Sequence, residues 1–244
     1  MPVFYCLNKN IVQDKISITD IGQLHHIKNV LRIKANELVT IFDEKGNRYE
    51  VFLQEAFKDY VNFRIVNIEI VQQASLPRLT LACAIPKKTT MDDIVSKLTQ
   101  LGVDSIIPMQ TKRVVIKLDN AKKLAKLKRW EKIAYSSSQQ SQRRIPPVIS
   151  SIQSIEEVTA NAGNFDLRIM PVLTGNRKNL KDLFVSGNPI NVIVLIGPEG
   201  DFTLDEICLA QKNGFIAVNL GANVLRVETA ACAVASFIRL YANH

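Results

Sequence analysis

Apolar and polar residues alternate with a period of two along three short segments near the start of the chain. These segments are Glu37–Asp43, Arg48–Leu53 and Tyr60–Val66, and the pattern is typical of strands with one buried face. Glu44–Asn47 contains a glycine and predicts the hairpin turn between the first two strands. Asp20–Leu31 has apolar residues at helical spacing. Together the segments predict a small β-barrel with one short helix.

A different pattern begins near Gln72–Pro77. Leu79–Ile85 is an almost continuous apolar run, as expected of a strand buried on both faces. Strands and helices then alternate, which predicts an α/β domain with a largely parallel sheet. The chain should therefore divide into a β-barrel domain, residues 1–73, and an α/β domain, residues 74–244. Beyond the first strand the predicted elements are helices at 91–101, around 124–133, from the capping box Thr203–Glu206 to Gly214 and at 228–242, and strands at 106–107, 167–172, 192–196 and 215–220.

Positive charge is concentrated in one segment. The chain has a net charge of +8, and residues 112–144 contain eleven Lys or Arg but only two acidic residues. Such a density predicts a surface that binds phosphate backbones, and a solvated helix face is the structural alternative. The candidate phosphate contacts are Lys112, Arg113, Lys122, Lys123, Lys126, Arg129 and Arg144, with His25, Lys28 and Arg32 as further candidates in the barrel.

Composition argues against a metal centre and against a membrane protein. The four cysteines lie far apart, and the three histidines form no zinc-binding pattern. No apolar run is long enough to cross a bilayer, and the first residues do not have the layout of a secretory signal. We expect a cytoplasmic protein with buried thiols, no metal and no membrane partner.

Two segments join a strand to a helix through a glycine-containing loop. In Val194–Glu206 the loop contains Gly197 and Gly200, and in Val218–Ala231 the strand ends at Gly221. Glycines let the backbone approach a ligand closely, and open α/β sheets bind ligands at the carboxyl ends of their strands. The first loop has neither the pattern of a nucleoside triphosphatase nor that of a dinucleotide-binding fold. A plain strand–helix turn is the structural alternative.

The second loop also contains two charged residues of opposite sign. Arg226 and Glu228 lie in a segment that is otherwise apolar. They could form an ion pair that closes the helix terminus. Alternatively, Arg226 holds an anion or a polar base and Glu228 orients it.

Further motifs extend the pattern over the whole chain. They are His25–His26 followed by Val30–Arg32, Lys97–Val103 with Ile107–Met109, and Gln139–Arg143 followed by Ile145–Pro146. With Gly197–Gly200 and Leu220–Ala230, these segments resemble the RsmE family of the SPOUT superfamily. Members of that family methylate N3 of a uridine in bacterial 16S ribosomal RNA of the small ribosomal subunit.

The resemblance implies a fold, a cofactor and a partner. The α/β domain would be a SPOUT domain with a deep trefoil knot, the N-terminal domain a PUA-like RNA-binding barrel, and the protein a homodimer. S-adenosylmethionine would bind in the knot, held by Leu173, Ile196, Gly197, Pro198, Glu199, Gly200, Leu220, Gly221, Val224, Leu225, Glu228, Thr229 and Ala230. Gln140 would join the RNA-binding residues.

The implied chemistry needs a group that stabilises the uridine anion, because neutral N3 is a poor nucleophile. Arg226 is the first candidate for this role, and Arg143 is the alternative, acting in its own subunit or across the dimer. Because N3 is paired in a duplex, the substrate should be single-stranded or locally opened RNA.

Five positions depart from the family pattern. Asp201 replaces the usual second glycine after Gly-Pro-Glu-Gly, and Asn223 replaces a basic residue before Val224. Asn36–Glu37 replaces Gly-Asp, and Gln100 replaces an acidic residue. Two alternatives stay open: a SPOUT methyltransferase for another ribosomal or transfer RNA site, and a non-catalytic RNA-binding assembly factor that does not bind S-adenosylmethionine.

Overall fold

A computed structural model describes residues 2–71, 77–86, 90–113, 119–184 and 189–241. The chain forms two compact units, one of Met1–Ala74 with Ser138–Ile145, the other of Ser75–Ser137 with Pro146–His244. The sequence-based division assigned residues 138–145 to the α/β domain, whereas the structure groups them with the first unit. The change of pattern at Gln72–Pro77 falls mostly outside the described residues, and the boundary after residue 73 stays a prediction.

The first unit contains one six-stranded sheet and a short helix. Its elements are β1 (Val3–Tyr5), β2 (Ile11–Val12), β3 (Lys15–Ile18), α1 (Ile21–His25, continued by a π-helical turn, His26–Val30), β4 (Leu38–Phe42), β5 (Arg48–Ala56) and β6 (Val61–Glu69). The strand order is β1-β4-β5-β6-β3-β2, with β1 parallel to β4 and the other pairs antiparallel. The three predicted strands and the helix are confirmed. The strands β1 to β3 were not predicted, because they are too short to show the alternation of apolar and polar residues.

Alternate residues of these strands form the core of the first unit. Phe4, Ile41, Val51 and Phe63 are fully buried in one apolar cluster. The helix begins where predicted, because the Asp20 side chain accepts a hydrogen bond from the backbone N–H of Gln23 at 2.8 Å.

The predicted hairpin turn is confirmed, and the residue before it stabilises it. The Asp43 carboxylate accepts hydrogen bonds from the backbone N–H groups of Lys45 and Asn47, both at 2.9 Å. Gly46 has a φ of +82°, which glycine adopts at little cost.

The second unit contains a parallel sheet with helices. Its elements are β7 (Arg78–Ala84), α2 (Thr90–Gln100), β8 (Ser105–Gln110), α3 (Asn120–Gln140, the last residues of which belong to the first unit), β9 (Val148–Ile149), β10 (Gln153–Ser154), α4 (Ile155–Ala160), β11 (Leu167–Pro171), β12 (Lys178–Asn179), β13 (Asn191–Ile196), α5 (Leu204–Lys212), β14 (Ile216–Asn219) and α6 (Val227–Tyr241). The strand order is β10-β8-β7-β13-β11-β14-β12, with β9 beside β8. All described pairs in this sheet are parallel, which confirms the predicted α/β class.

The continuous apolar run of β7 is explained by burial on both faces of the sheet. Leu79 and Leu81 belong to one core cluster, which also contains residues of α2 and α6. Ala82 belongs to a second cluster, with residues of α4 and α5. The predicted capping box is present, because Thr203 and Glu206 exchange side-chain and backbone hydrogen bonds at the start of α5. The predicted end of the last helix, residue 242, lies outside the described residues.

The basic helix α3 is attached to the core through a few apolar side chains. Trp130 is 1% exposed and Ala134 is equally buried. The ammonium group of Lys126 lies 5.7 Å from the centroid of the Trp130 ring. Most other side chains of this helix are exposed, which agrees with its high charge.

Candidate functional site

A cleft lies at the carboxyl ends of β13, β11 and β14, three neighbouring parallel strands. Parallel α/β sheets bind ligands at this edge. The loops after the three strands, with the first turn of α6, provide its lining: Pro171, Val172, Leu173 and Arg177; Ile196, Gly197, Pro198, Glu199 and Asp201; Leu220, Gly221, Asn223, Val224 and Leu225; and Val227 and Ala230. The cleft contains about 620 Å³ of space, part of it open to solvent.

Most of the residues predicted to bind the cofactor meet in this cleft. Those that line it are Leu173, Ile196, Gly197, Pro198, Glu199, Leu220, Gly221, Val224, Leu225 and Ala230. Gly200 lies in the same loop, and Glu228 and Thr229 lie in the first turn of α6, but these three are not among the lining residues. The cofactor-binding roles of all thirteen residues stay predictions.

Sequence reasoning missed several lining residues. Pro171 and Val172 end a predicted strand, and the rule that ligands bind at strand ends could have identified them. Val227 directly precedes the predicted last helix. Arg177 belongs to no motif, yet it lines the cleft and donates a hydrogen bond to the carbonyl oxygen of Val172 at 3.2 Å. Asp201 and Asn223 also line the cleft, although the sequence indicated them only as departures from a family pattern.

Gly197 is required by close packing against an aromatic ring. A Cβ atom at this position would lie 3.0 and 3.1 Å from two ring carbons of Phe202, which is tighter than nine in ten real Cβ contacts, so the ring or the loop would have to shift by a few tenths of an ångström. The Phe202 side chain is 3% exposed and has little room to move. At Gly197 the loop therefore presents only backbone atoms to the cleft.

Arg226 lies next to the cleft, and its guanidinium is not paired with any described residue. It is exposed, and its neighbours Leu225 and Val227 both line the cleft. Its carbonyl oxygen accepts the backbone N–H of Ala230 at 2.8 Å in the first turn of α6. Its side chain forms no hydrogen bond or ion pair with any described residue. The alternative that Arg226 and Glu228 form an ion pair closing the helix is therefore not seen in the described part of the chain.

Arg143 and Arg144 are packed within the first unit. The Arg143 side chain donates to the carbonyl oxygen of Ile145 at 2.6 Å. Its own carbonyl oxygen accepts a 2.6 Å hydrogen bond from the Tyr5 hydroxyl, and burial raises the pKa of Tyr5 to about 12. Arg144 forms an ion pair with Glu69. These contacts are structural, and the catalytic role of Arg143 and the RNA contact of Arg144 stay predictions.

Lys112 and Arg113 are engaged by the second unit's own loops. The Lys112 ammonium lies 2.9 Å from the Asp205 carboxylate, which raises the pKa of Lys112 and lowers that of Asp205. The Arg113 guanidinium donates hydrogen bonds to the carbonyl oxygens of Gly200 and Asp201. Arg113 thus supports the cleft loop and Lys112 contacts the first turn of α5. The sequence could not reveal these contacts, and the contact of both residues with RNA stays a prediction.

The other residues predicted to contact RNA differ in their exposure and in whether their side chains already pair with protein groups. On α3, Lys122 pairs with Asp119 at 3.1 Å, and Arg129 pairs with Asp92 at 2.6 Å. In the first unit, the Lys28 ammonium donates to the carbonyl oxygens of Phe57 and Lys58. Gln140, His25 and Arg32 are exposed, whereas Lys123 is half-buried. Lys128 and Lys132 are also exposed on α3, although they were absent from the predicted set.

Family models match both parts of the chain. Residues 72–239 match the RNA methyltransferase domain, and residues 18–66 match the RNA methyltransferase PUA domain. The fold and its strand-end cleft are therefore those of an RNA methyltransferase with an N-terminal PUA domain.

Individual relatives identify the family more closely. The chain is 34% identical to ribosomal RNA small subunit methyltransferase E of Mesomycoplasma hyopneumoniae, with 85% of this chain and 87% of the relative covered. It is 27% identical to the Bacillus subtilis enzyme of that name, with 93% and 91% covered. The Neisseria gonorrhoeae enzyme, solved bound to S-adenosyl methionine, superimposes with a TM-score of 0.85 at 29% identity, covering 98% of each chain. The chain belongs to the ribosomal RNA small subunit methyltransferase E family.

Proposed function

We propose that this chain transfers the methyl group of S-adenosylmethionine to N3 of a uridine in 16S ribosomal RNA. The observation that carries the proposal is the cleft at the ends of three parallel strands, next to the unengaged cation of Arg226. The relatives support the substrate, because they are named as small-subunit ribosomal RNA methyltransferases. The Neisseria relative supports the cofactor, because it was solved with it.

The lining of the cleft suits S-adenosylmethionine. Val172, Leu220 and Leu225 provide apolar surface for the adenosine, and the bare backbone at Gly197 and Gly221 leaves room for contacts with the base edge. When bound, the cofactor supplies an electrophilic methyl group on a positively charged sulfur. The chain's own contribution is to hold that group in line with the attacking nitrogen.

Arg226 would assist the attack by stabilising charge on the substrate. Loss of the N3 proton leaves negative charge spread over the uracil ring and its oxygens. A guanidinium placed against the base would lower the free energy of that anion, and electrostatic stabilisation of developing charge often contributes more to catalysis than any other effect. The planar donors of arginine also suit the adjacent oxygen and nitrogen atoms of the base.

The remaining parts of the proposal concern assembly and location. We include a homodimer, a deep trefoil knot around the cleft and a cytoplasmic location, all implied by the family resemblance. Among the residues that the structure describes, none of the helices has the length and apolar character needed to cross a membrane. The same residues contain no cluster of three or more side chains suited to hold a metal ion.

Removing charge from α3 should weaken RNA binding without changing cofactor binding. We expect a variant with Lys123, Lys128 and Lys132 all replaced by Gln to reduce the slope of the logarithm of RNA affinity against the logarithm of salt concentration by about 2, since each phosphate contact on a single strand contributes about 0.7 to that slope. Filter binding at several salt concentrations measures this slope. The matched control replaces Lys178, Lys181 and Lys212, which are exposed elsewhere in the second unit. Equal slopes for the two triple variants would exclude α3 as the RNA surface.

Adding one methyl group at Gly197 should impair cofactor binding. In Gly197→Ala the new Cβ must displace the buried Phe202 ring or the loop itself. We expect the Kd for S-adenosylmethionine to rise about tenfold or more, and the free energy of unfolding to fall by about 1–3 kcal/mol. Isothermal titration calorimetry and urea unfolding measure these two quantities.

The control for this experiment is Gly163→Ala. A Cβ at Gly163 meets no atom within 4 Å, so its Kd should equal that of the wild type. If the folded wild type does not bind S-adenosylmethionine, the proposed function is wrong and an RNA-binding assembly factor becomes the better account. If Gly197→Ala binds as tightly as the control, the cofactor does not use this cleft.

A further inference from the structure

We propose that Asp201 is a positioning residue that preorganises the cofactor cleft by tying two of its loops together. The inference rests on the proposed function, since it concerns the affinity of the cleft for S-adenosylmethionine. It assigns a specific task to a side chain that departs from the glycine usual in the family. Arg113 supports the same loop by donating hydrogen bonds to the loop's backbone carbonyls.

The Asp201 carboxylate accepts two backbone hydrogen bonds, one from each loop. One oxygen lies 2.9 Å from the backbone nitrogen of Leu173, in the loop that follows β11. The other lies 2.9 Å from the backbone nitrogen of Phe202, in the loop that follows β13. Leu173 and Asp201 both line the cleft. A single side chain therefore fixes the distance between two of the three loops that form it.

The backbone at Asp201 is in the left-handed region. Its φ is +63°, and its N–H donates a 3.0 Å hydrogen bond to the carbonyl oxygen of Pro198, closing a tight turn. Glycine adopts this conformation most easily, and Asp is among the side chains that tolerate it best. Aspartate thus keeps the turn that a glycine would make and adds the carboxylate that reaches Leu173.

Arg113 holds the opposite side of the same turn. Its guanidinium donates to the carbonyl oxygens of Gly200 and Asp201. The preceding residue is fixed in turn, because the backbone N–H of Lys112 donates to the Glu206 carboxylate at 2.8 Å, and Glu206 is 1% exposed at the start of α5. The loop is therefore held both by the Asp201 carboxylate, which accepts from Leu173, and by Arg113, which donates to the loop's carbonyl oxygens.

The hydrogen bonds between the two loops affect the affinity for the cofactor by raising the fraction of molecules whose cleft is in the binding-competent conformation. The observed Kd equals the intrinsic Kd divided by that fraction, so a loop that loses its connection binds more weakly even if no contact with the ligand is lost. A different explanation would be direct attraction between the Asp201 carboxylate and the positive sulfur of the cofactor. The two explanations make different predictions for S-adenosylhomocysteine, whose sulfur is neutral.

The experiment is calorimetric titration of the full-length protein with both ligands. We expect Asp201→Gly to weaken S-adenosylmethionine and S-adenosylhomocysteine by the same factor, about tenfold, because two charge-assisted hydrogen bonds are lost from the loops. Asp201→Asn keeps one acceptor oxygen and should show a smaller loss for both ligands. The control Asn36→Gly relieves a similar backbone conformation, with φ of +66°, in the first unit and should bind like the wild type.

A kinetic readout separates positioning from chemistry. In Asp201→Gly the KM for S-adenosylmethionine should rise about tenfold, whereas kcat at saturating cofactor should stay within about twofold of the wild type. A large fall in kcat would mean that Asp201 acts on the reaction itself, which would overturn the positioning role.

The remaining outcomes are also decisive. Unchanged affinity of Asp201→Gly for both ligands would overturn the proposal, and a loss confined to S-adenosylmethionine would replace it with the charge explanation. If the wild type binds neither ligand, the proposed function fails first and the inference fails with it. Thermal unfolding of each variant confirms that the comparison is made between folded proteins.

Discussion

Replacing Arg226 with Ala should lower the rate of RNA methylation by about 10²–10³-fold, the loss typical when one group that stabilises developing charge is removed. The Kd for S-adenosylmethionine should stay within about twofold of the wild type, because the side chain is exposed beside the cleft and is not among its lining residues. Single-turnover methyl transfer at saturating cofactor measures the rate, and calorimetry measures the affinity.

Arg226→Lys is the matched variant for this prediction. It keeps the positive charge but loses the planar pair of donors, so its rate should lie between those of the wild type and Arg226→Ala. Methylation by Arg226→Ala at a nearly wild-type rate would remove Arg226 from the catalytic role and make Arg143 the candidate to test next.

Trp130→Ala should lower the free energy of unfolding by about 3–5 kcal/mol, the range for truncating a large aromatic side chain in a packed core. Trp130 is 1% exposed and belongs to the core cluster that also contains residues of α2 and α6. It is the chain's only tryptophan, so unfolding in urea is best followed by circular dichroism. RNA affinity should fall as well, because α3 loses its main attachment to the sheet.

The control for Trp130 is on the same helix. Leu124 is 53% exposed, and Leu124→Ala should change the free energy of unfolding by no more than about 0.5 kcal/mol. Equal stabilities of the two variants would show that Trp130 does not anchor α3. A stable Trp130→Ala that still loses RNA affinity would instead give the side chain a direct role in binding RNA.

Sequence patterns predicted helices and strands well where buried residues recur at a regular spacing along the chain. The run Leu79–Ile85 indicated a strand covered on both faces, and its side chains do divide between two clusters. The capping box at Thr203 located the start of α5. Two-residue strands such as β9 and β12 are too short to carry a period, and α4 was missed although Ser154 begins it with a capping box of its own.

The cleft was predictable to the extent that it depends on local sequence. Glycine-containing loops after buried strands indicated most of its lining, because strand ends in a parallel sheet meet at one edge. The partners of long, charged side chains were not predictable. Arg113 contacts residues 87 and 88 positions later in the chain, the carbonyls of Gly200 and Asp201, and nothing in the local charge pattern distinguishes this from a phosphate contact.

The central claim is that this chain methylates N3 of a uridine in 16S ribosomal RNA, and nucleoside mass spectrometry tests it most directly. The purified protein and S-adenosylmethionine are incubated with small ribosomal subunits, and separately with free 16S RNA, from a strain lacking the corresponding methyltransferase. We expect 3-methyluridine to appear at a single site in the 16S RNA of at least one of the two substrates, and to be absent with Arg226→Ala on the same time scale. Methylation of another base, or of neither substrate, by a protein that binds the cofactor would contradict the claim.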